Sequence, residues 1–307
     1  MQNQAKIKNY LLNSNNFDLT VFSNDVKSPK AILIIVHGMA EHIDRYQGFF
    51  AYLREHQILA IGYNQRGHYL GVEKEEDYGF LREKDGFGLL ISDLNNFYLD
   101  VKAKYPNLPI FIFGHSMGSF ITQRFIQKYD YKLNGVILSG TGKNPNLILN
   151  LGHFLTKLII FFKGPRYRSK FIHNLSFGSY TKKYKDKRTD LDWLSRDHEI
   201  VDKYIKDKWC GGVFSTAFFR DFYHLMSRVN KDNRLLQPLF PVIMLSGDMD
   251  PVGNYGKGVT KLYNIYKKQN IDVKMKFYKD ARHEILNDFC KDEVRSDILN
   301  FIEERIK

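Results

Sequence analysis

The chain has 307 residues, of which 43% are hydrophobic and 15% aromatic, so it can bury a large core. Its formal net charge of +12 is compatible with an anionic membrane, an anionic substrate or nucleic acid as a partner. Cys210 and Cys290 lack CxxC spacing, which argues against a disulfide framework and a zinc knuckle. The polar start lacks the apolar core of a signal peptide, and no run of 18 apolar residues occurs, so we expect a cytoplasmic protein.

The first part of the chain alternates short apolar runs with amphipathic ones. Residues 17–23 predict a strand at the edge of a sheet, and residues 30–36 predict a strand buried on both faces. A helix over 46–56, a strand over 58–63 and a helix over 87–105 follow. This alternation with short loops indicates an α/β fold, in which parallel strands are joined by right-handed crossovers and helices cover both faces.

Residues 109–118 are the most informative stretch. A buried strand turns directly into a helix, and the turn has the pattern Gly-x-Ser-x-Gly, with Ser116 between Gly114 and Gly118. Such a turn strains the serine backbone and leaves room only for glycine two residues to either side. We therefore predict that Ser116 is a nucleophile and that the N–H of Met117, at the start of the helix, stabilises a negative charge. A serine that merely caps the helix would explain neither glycine.

The strand over 30–36 ends in the sequence His37-Gly38-Met39-Ala40. A loop of this kind beside a nucleophile turn predicts a second donor to the same oxyanion, the N–H of Met39. The alternative is an ordinary loop in which Gly38 is the turn residue. We expect His37 to brace this loop, and the Arg-Gly-His at 66–68 to be structural rather than catalytic.

The regular alternation stops after a strand over 133–140 and resumes near residue 241. Between them, residues 142–236 show helical patches without a bounded strand, which predicts an inserted helical cap. The core would then consist of residues 1–141 and 237–307. Its later elements are predicted as a strand over 241–247, a helix over 256–269, a strand over 273–278 and a helix from 285 to about 306.

A serine nucleophile requires a base and a group that orients the base. His283 lies in a loop between the last strand and the last helix, and the loop after the preceding strand offers Asp250, with Asp248 as the competing acid. We favour Asp250, because Pro251 fixes the chain directly after it. His115 is expected to project away from Ser116, because neighbours at a turn do not face each other.

The chain resembles the monoglyceride lipase and lysophospholipase group of α/β-hydrolases over nearly its whole length. The resemblance implies the α/β-hydrolase fold, a triad of Ser116, Asp250 and His283, oxyanion donors at Met39 and Met117, and a mobile cap that shapes an acyl pocket. The residues that carry it are 37–42, 45–46, 66–68, 114–118, 247–250, 283–284 and, in the cap, 192–197 and 207–211. Two residues depart from the family pattern: Ala40 and Tyr69 stand where glycine is usual.

These residues predict two-step hydrolysis of a carboxylic ester through an acyl-enzyme, without a metal or an organic cofactor. The resemblance implies single-chain lipid substrates, either monoacylglycerols or lysophospholipids. A peptidase or thioesterase on the same scaffold, or a non-catalytic binding protein, are the alternatives. The acyl chain length, the head group, the positional preference and the oligomeric state are left open.

The cap sequence offers two clues about partners. Its apolar residues are expected to line an acyl channel, to dip into a membrane or to pack on the core; they are Phe154, Leu155, Leu158, Ile159, Ile160, Phe161 and Phe162. Residues 163–188 hold nine Lys or Arg and one acid, a net charge of 9 − 1 = +8. This basic run is either a solvated face or a contact with anionic lipid at the membrane periphery. Nucleic-acid binding is not expected, because no recognition fold accompanies the charge.

Overall fold

The computed structural model describes residues 7–233, 236–237 and 239–306. Within these residues, eight strands form one sheet, and nine α-helices surround it. The strands are β1 (Ile7–Ser14), β2 (Phe17–Asn24), β3 (Ala31–Val36), β4 (Ile58–Tyr63), β5 (Ile110–His115), β6 (Gly135–Ser139), β7 (Val242–Gly247) and β8 (Val273–Tyr278). The helices are α1 (Gln47–Glu55), α2 (Gly86–Lys104), α3 (Met117–Lys128), α4 (Asn146–Lys163), α5 (Lys170–Phe177), α6 (His198–Lys206), α7 (Thr216–Asp232), α8 (Lys257–Lys268) and α9 (Lys291–Glu303).

The sheet has the strand order β1-β2-β4-β3-β5-β6-β7-β8. The pairs β1–β2 and β2–β4 are antiparallel, and the other pairs are parallel, which confirms the predicted mostly parallel α/β sheet.

The predicted edge position of residues 17–23 is wrong, because β1 forms the edge beyond β2. Asn15 and Asn16 both have positive φ, 50° and 58°, and join the two strands as a two-residue hairpin turn. Asparagine tolerates this conformation, so this pair was the signal for β1 in the sequence.

The central strands are buried on both faces, as their continuous apolar sequences require. In β3, Ile32 and Ile34 belong to the core beneath α2, α3 and α8, whereas Leu33 and Ile35 belong to the core beneath α1 and α9. Parallel strands place all their carboxyl ends at one edge of the sheet. The loops that follow β3, β5, β7 and β8 therefore meet there, and these loops contain the predicted site residues.

The chain between β6 and β7 contains α4, α5, α6 and α7, and no strand lies in its described part. Helix α7 packs against α4 and also against α2 and α3 of the core. We refer to residues 142–236 as the cap segment. The predicted last helix from 285 is shorter than expected: a 3-10 turn covers Ile285–Asn287, and α9 begins only at Lys291.

Candidate active site

Ser116 occupies a strained turn between β5 and α3. Its backbone has φ 51° and ψ −120°, and its N–H donates to the carbonyl oxygen of Ser139, 2.9 Å away. A Cβ at Gly114 would lie 2.5 Å from Thr122 Oγ1, and a Cβ at Gly118 would lie 2.1 Å from the Val36 carbonyl oxygen. Neither position admits a side chain, which gives the physical reason for the Gly-x-Ser-x-Gly pattern.

The loop after β3 folds back toward this serine. The Gly38 N–H donates to Glu41 Oε1 at 2.5 Å, and a Cβ at Gly38 would lie 3.2 Å from the Cβ of Ser116. Met39 and Met117 line the same cavity as Ser116. The structure thus places both residues that are predicted to supply oxyanion donors around the same cavity as the serine.

His37 connects this loop to the loop after β4. Its Nδ1–H donates to the Gly38 carbonyl oxygen at 2.8 Å, and its Nε2 accepts from the Gln65 N–H at 3.0 Å. Burial lowers the pKa of His37 to about 3, so the imidazole stays neutral. With both ring nitrogens occupied, His37 has a structural role.

His283 lies 3.0 Å, Nδ1 to Oδ2, from Asp250. Both side chains are buried, and the second oxygen of Asp250 accepts the Val252 N–H at 2.8 Å. Burial by itself lowers the pKa of His283, but the charge and hydrogen bond of Asp250, together with Glu284 and Glu41, raise it above the usual value. Among the described residues, no hydrogen bond links Asp248 to His283, so the geometry pairs the histidine with Asp250.

A buried ion network, absent from the sequence-based prediction, joins the loops that carry Met39 and His283. Arg45 donates to Glu41 at 2.9 Å and to both oxygens of Glu284, at 2.7 and 2.6 Å. Burial tends to raise the pKa of Glu284, but Arg45 holds it below its usual range. Glu41 precedes Arg45 by four residues, a spacing that was visible in the sequence; the partner 239 residues away was not.

His115 lies at the cavity and contacts the predicted base. Its ring centroid lies 4.7 Å from that of His283, with Nδ1 3.2 Å from Ser139 Oγ, and the contact with His283 was not predicted. Burial is the larger cause, and the nearby His283 the smaller one, that lowers the pKa of His115 to about 4. His115 is therefore a neutral ring packed against the predicted base.

The Arg-Gly-His loop at 66–68 has the predicted structural role. Arg66 donates to both oxygens of the buried Asp93, at 2.6 and 3.1 Å. His68 Nδ1 lies 2.9 Å from the carbonyl oxygen of Arg66, and burial lowers the pKa of His68 to about 3. These contacts hold the loop after β4 against α2.

Ser116 and His283 open into a cavity of about 230 Å³ between the sheet edge and the cap segment. Most of its lining is apolar, and within the described residues that line it there is no lysine or arginine. From α4, the lining residues are Ile148, Leu149, Leu151 and Gly152. Residues 154–155 and 158–162 were expected to line an acyl channel, to dip into a membrane or to pack on the core. They lie further along α4 and do not line the cavity, whereas Leu155 and Ile159 pack against the core.

Three side chains at the seam between the cap segment and the core have atoms that ligate metals. His42, Asp207 and Cys210 bring such atoms within 4.8 Å of one another. His42 Nε2 and Asp207 Oδ2 are 2.8 Å apart, and the ring of Tyr69 lies on that of His42, with centroids 4.7 Å apart. These contacts already account for the group as a hydrogen-bonded connection between the cap segment and the core.

Helix α4 is unusually exposed for so apolar a helix. Its 18 residues have a mean hydropathy of 1.2, so by length and composition alone it is able to span a membrane. Only Leu149, Gly152 and Thr156 are buried, on the side that faces α7. Phe154, Phe161 and Phe162 are 61%, 81% and 70% exposed.

Known proteins resemble this chain in sequence and in fold. A family model described as "Serine aminopeptidase, S33" (Hydrolase_4) matches residues 27–289. Human monoglyceride lipase is 26% identical over 264 residues, which cover 83% of this chain and 76% of that protein. The monoglyceride lipase homolog of monkeypox virus is 24% identical over 276 residues, 90% of this chain and 88% of that protein. The structure of a thermostable carboxyl esterase from Bacillus coagulans in complex with glycerol has a TM-score of 0.90 at 26% identity, covering 98% of this chain and 99% of that chain.

The family match spans most of the chain, and the sheet order, the strained turn after β5 and the loop after β3 agree with it. The chain belongs to the Hydrolase_4 (serine aminopeptidase, S33) family and is a hydrolase of the α/β-hydrolase fold, in the monoglyceride lipase group.

Proposed function

We propose that this enzyme hydrolyses carboxylic esters of single-chain lipids through an acyl-enzyme. Ser116 attacks the ester carbonyl carbon, and His283 takes the serine proton and gives it to the leaving alcohol. Asp250 holds the imidazole through the 3.0 Å hydrogen bond to Nδ1. The N–H groups of Met39 and Met117 stabilise the oxyanion, each by about 100- to 1000-fold in rate. Water then attacks the acyl-enzyme by the same steps.

The observation that carries the substrate class is an apolar cavity at Ser116 without a cation among its described lining residues. An acyl chain gains free energy by leaving water for such a surface. A phosphate group would find no arginine or lysine there to replace its hydration. We therefore favour an ester with an uncharged head group, such as a monoacylglycerol, over a lysophospholipid. The likeness to human monoglyceride lipase and to an esterase that binds glycerol supports this choice.

The aminopeptidase activity in the family description is a less favoured function for this chain. An aminopeptidase needs a free carboxylate for the substrate ammonium group. Glu41 and Glu284 are the acids among the described lining residues, and Arg45 binds both. A thioesterase would meet no such obstacle, so thioesters belong in the substrate panel.

The test is a comparison of kcat/KM for monoacylglycerol, lysophosphatidylcholine, acyl-thioester and aminoacyl-amide substrates, with matched acyl chains for the lipids. We expect the monoacylglycerol to exceed the lysophospholipid by about tenfold or more, because the phosphate finds no partner. A fluorophosphonate probe should label the wild-type enzyme and not Ser116→Ala. Equal kcat/KM for the two lipids would contradict the uncharged head group, and an unlabelled wild type would contradict a serine hydrolase.

We also propose that the cap segment covers the site and places it at a membrane surface, so that a cytoplasmic enzyme acts at the periphery of the membrane. Ile148, Leu151 and Leu175 line the cavity and are 62%, 55% and 51% exposed, so the cavity wall continues into the outer apolar surface. Phe161, Phe162 and other apolar residues of α4 extend this surface. Exposed apolar patches of this kind are typical of protein or membrane contacts.

The basic run contributes less to this surface than its charge suggests. Arg166 pairs with Asp77, Lys187 with Asp190 and Arg188 with Asp202. Arg168 donates to three backbone carbonyl oxygens of the core and cap. In the described part of the chain, five lysines of the run take part in no ion pair, namely Lys163, Lys170, Lys182, Lys183 and Lys185. Lysines near an anionic membrane contribute about 1 kcal/mol each.

Co-sedimentation with anionic vesicles tests this membrane contact. Replacing Phe161 and Phe162 by serine should weaken partitioning by about tenfold or more, because the two rings no longer leave water. Phe289→Ser is the matched control, since Phe289 is 68% exposed but lies in the loop before α9. Activity on a soluble short-chain ester should not change in either variant. Equal binding by all three proteins would show that the apolar surface does not face lipid.

A further inference from the structure

Ala40 has a backbone conformation that residues with a Cβ seldom adopt. Its φ is +55°, in the left-handed region. It lies between Met39, the proposed oxyanion donor, and Glu41, whose carboxylate accepts the Gly38 N–H. The left-handed turn at Ala40 allows Glu41 to reach back to Gly38. The family that the chain resembles usually has glycine here, which adopts this conformation without strain.

Two donors from the cap segment bind the carbonyl oxygen of Ala40. The Gly211 N–H donates to it at 3.1 Å, and the hydroxyl of Tyr204, on α6, donates to it at 2.8 Å. Tyr204 is buried, and its ring lies over the guanidinium of Arg45, 4.7 Å from carbon to centroid. Arg45 in turn binds Glu41. Tyr204 therefore contacts the loop twice, through its hydroxyl at the Ala40 carbonyl oxygen and through its ring at Arg45.

We propose that Tyr204 is a positioning residue that holds the oxyanion loop in its active shape, so that this enzyme depends on its cap segment for a complete oxyanion hole. The inference rests on the proposed ester hydrolysis. Alanine at position 40 favours negative φ when nothing holds it. A negative φ would move Glu41 away from the Gly38 N–H and so release the contact that shapes the loop carrying the Met39 N–H. The two cap hydrogen bonds favour the left-handed conformation instead. Glycine at position 40 would adopt the left-handed conformation without strain, so the loop would depend less on the two cap hydrogen bonds.

This role differs from direct binding of the substrate by Tyr204, which also lines the cavity. If Tyr204 binds the alcohol or acyl group, its replacement should change KM, and the change should be the same with alanine or glycine at position 40. A residue that positions Met39 acts on the oxyanion, which forms only in the transition state, so its loss lowers kcat and leaves KM unchanged.

The experiment measures kcat and KM on a soluble short-chain ester for the wild type, Tyr204→Phe, Ala40→Gly and the double variant. We expect Tyr204→Phe to lower kcat by about fivefold, the effect of one neutral hydrogen bond, with KM unchanged within about twofold. In the Ala40→Gly background, the same change at Tyr204 should cost less than about twofold. Tyr131→Phe is the matched control, because its hydroxyl donates to Asn95 at 3.0 Å, outside the cavity lining, and its removal should not alter kcat.

The outcomes are distinguishable. Equal losses of kcat in the Ala40 and Ala40→Gly backgrounds would overturn the proposal, as would a loss confined to KM. If Tyr204→Phe lowers kcat only because the protein is less stable, its melting temperature will fall and Ala40→Gly will not restore kcat. That result would also count against a positioning role. A wild-type enzyme that neither hydrolyses the ester nor reacts with a fluorophosphonate probe would instead refute the proposed function.

Discussion

The hydrogen bonds of the two Asp250 carboxylate oxygens predict how the variant Asp250→Asn will behave. In the wild type, Oδ2 lies 3.0 Å from His283 Nδ1, and Oδ1 accepts the Val252 N–H at 2.8 Å. An asparagine must keep its amide oxygen toward the Val252 N–H, because an amide NH₂ group cannot accept a hydrogen bond. The NH₂ group then faces Nδ1, which must act as an acceptor. The imidazole proton therefore moves to Nε2.

An imidazole with its proton on Nε2 cannot take the proton of Ser116. We expect kcat of Asp250→Asn to fall by about 10⁴-fold, the size of the effect found when a serine-protease triad is forced into the wrong tautomer. The residual activity should also change its pH dependence. Asp250 raises the pKa of His283 while burial lowers it, so without the carboxylate the acid limb moves to lower pH.

The assay is hydrolysis of a soluble chromogenic ester across the pH range, with circular dichroism to show that the variant folds. Asp248→Asn is the matched control from the same loop, and it should lose less than about tenfold, because Asp248 makes no described contact with His283. An Asp250→Asn enzyme with a tenth of the wild-type kcat, or a larger loss in Asp248→Asn, would refute the assignment of the acid.

The site and its scaffold lead to four further predictions. Ser116→Ala should lower ester turnover by about 10⁶-fold, with His283→Ala similar and the double variant little worse, because the triad acts as a unit; activity within tenfold of wild type would contradict the mechanism. In the wild type, kcat/KM should fall on the acid side with a midpoint above 6.5, the ordinary histidine pKa, because the raised pKa of His283 keeps the base protonated to higher pH; a midpoint below 6.5 would contradict this. Gly118→Ala should destabilise the fold by about 3 kcal/mol or more, because its Cβ would lie 2.1 Å from the Val36 carbonyl oxygen. Gly48→Ala, in α1, should instead stabilise by about 0.5–1 kcal/mol in thermal or urea unfolding, because its Cβ meets only the end of the Arg295 side chain.

Features set by short-range sterics were readable from the sequence. The strained turn at Ser116 requires glycine on both sides, and the structure shows contacts at Gly114 and Gly118 that no Cβ would tolerate. The buried strands were recognisable because both of their faces are apolar. In contrast, β1 was missed, because an edge strand is exposed to solvent along one edge and has a more polar sequence. The Asn15-Asn16 turn was the feature of the sequence that indicated it.

The sequence determined the order and chemistry of the loops after β3, β5, β7 and β8, because residue type and spacing along the chain specify strands, turns and helices locally. Tertiary structure decided which distant groups meet. It paired His283 with Asp250 rather than Asp248, packed His115 against His283, and joined Arg45 to Glu284. It also placed α4 so that its first turns, and not its aromatic end, line the cavity. The physical reason is that these contacts depend on how helices and loops pack across the sheet edge, which no local pattern encodes.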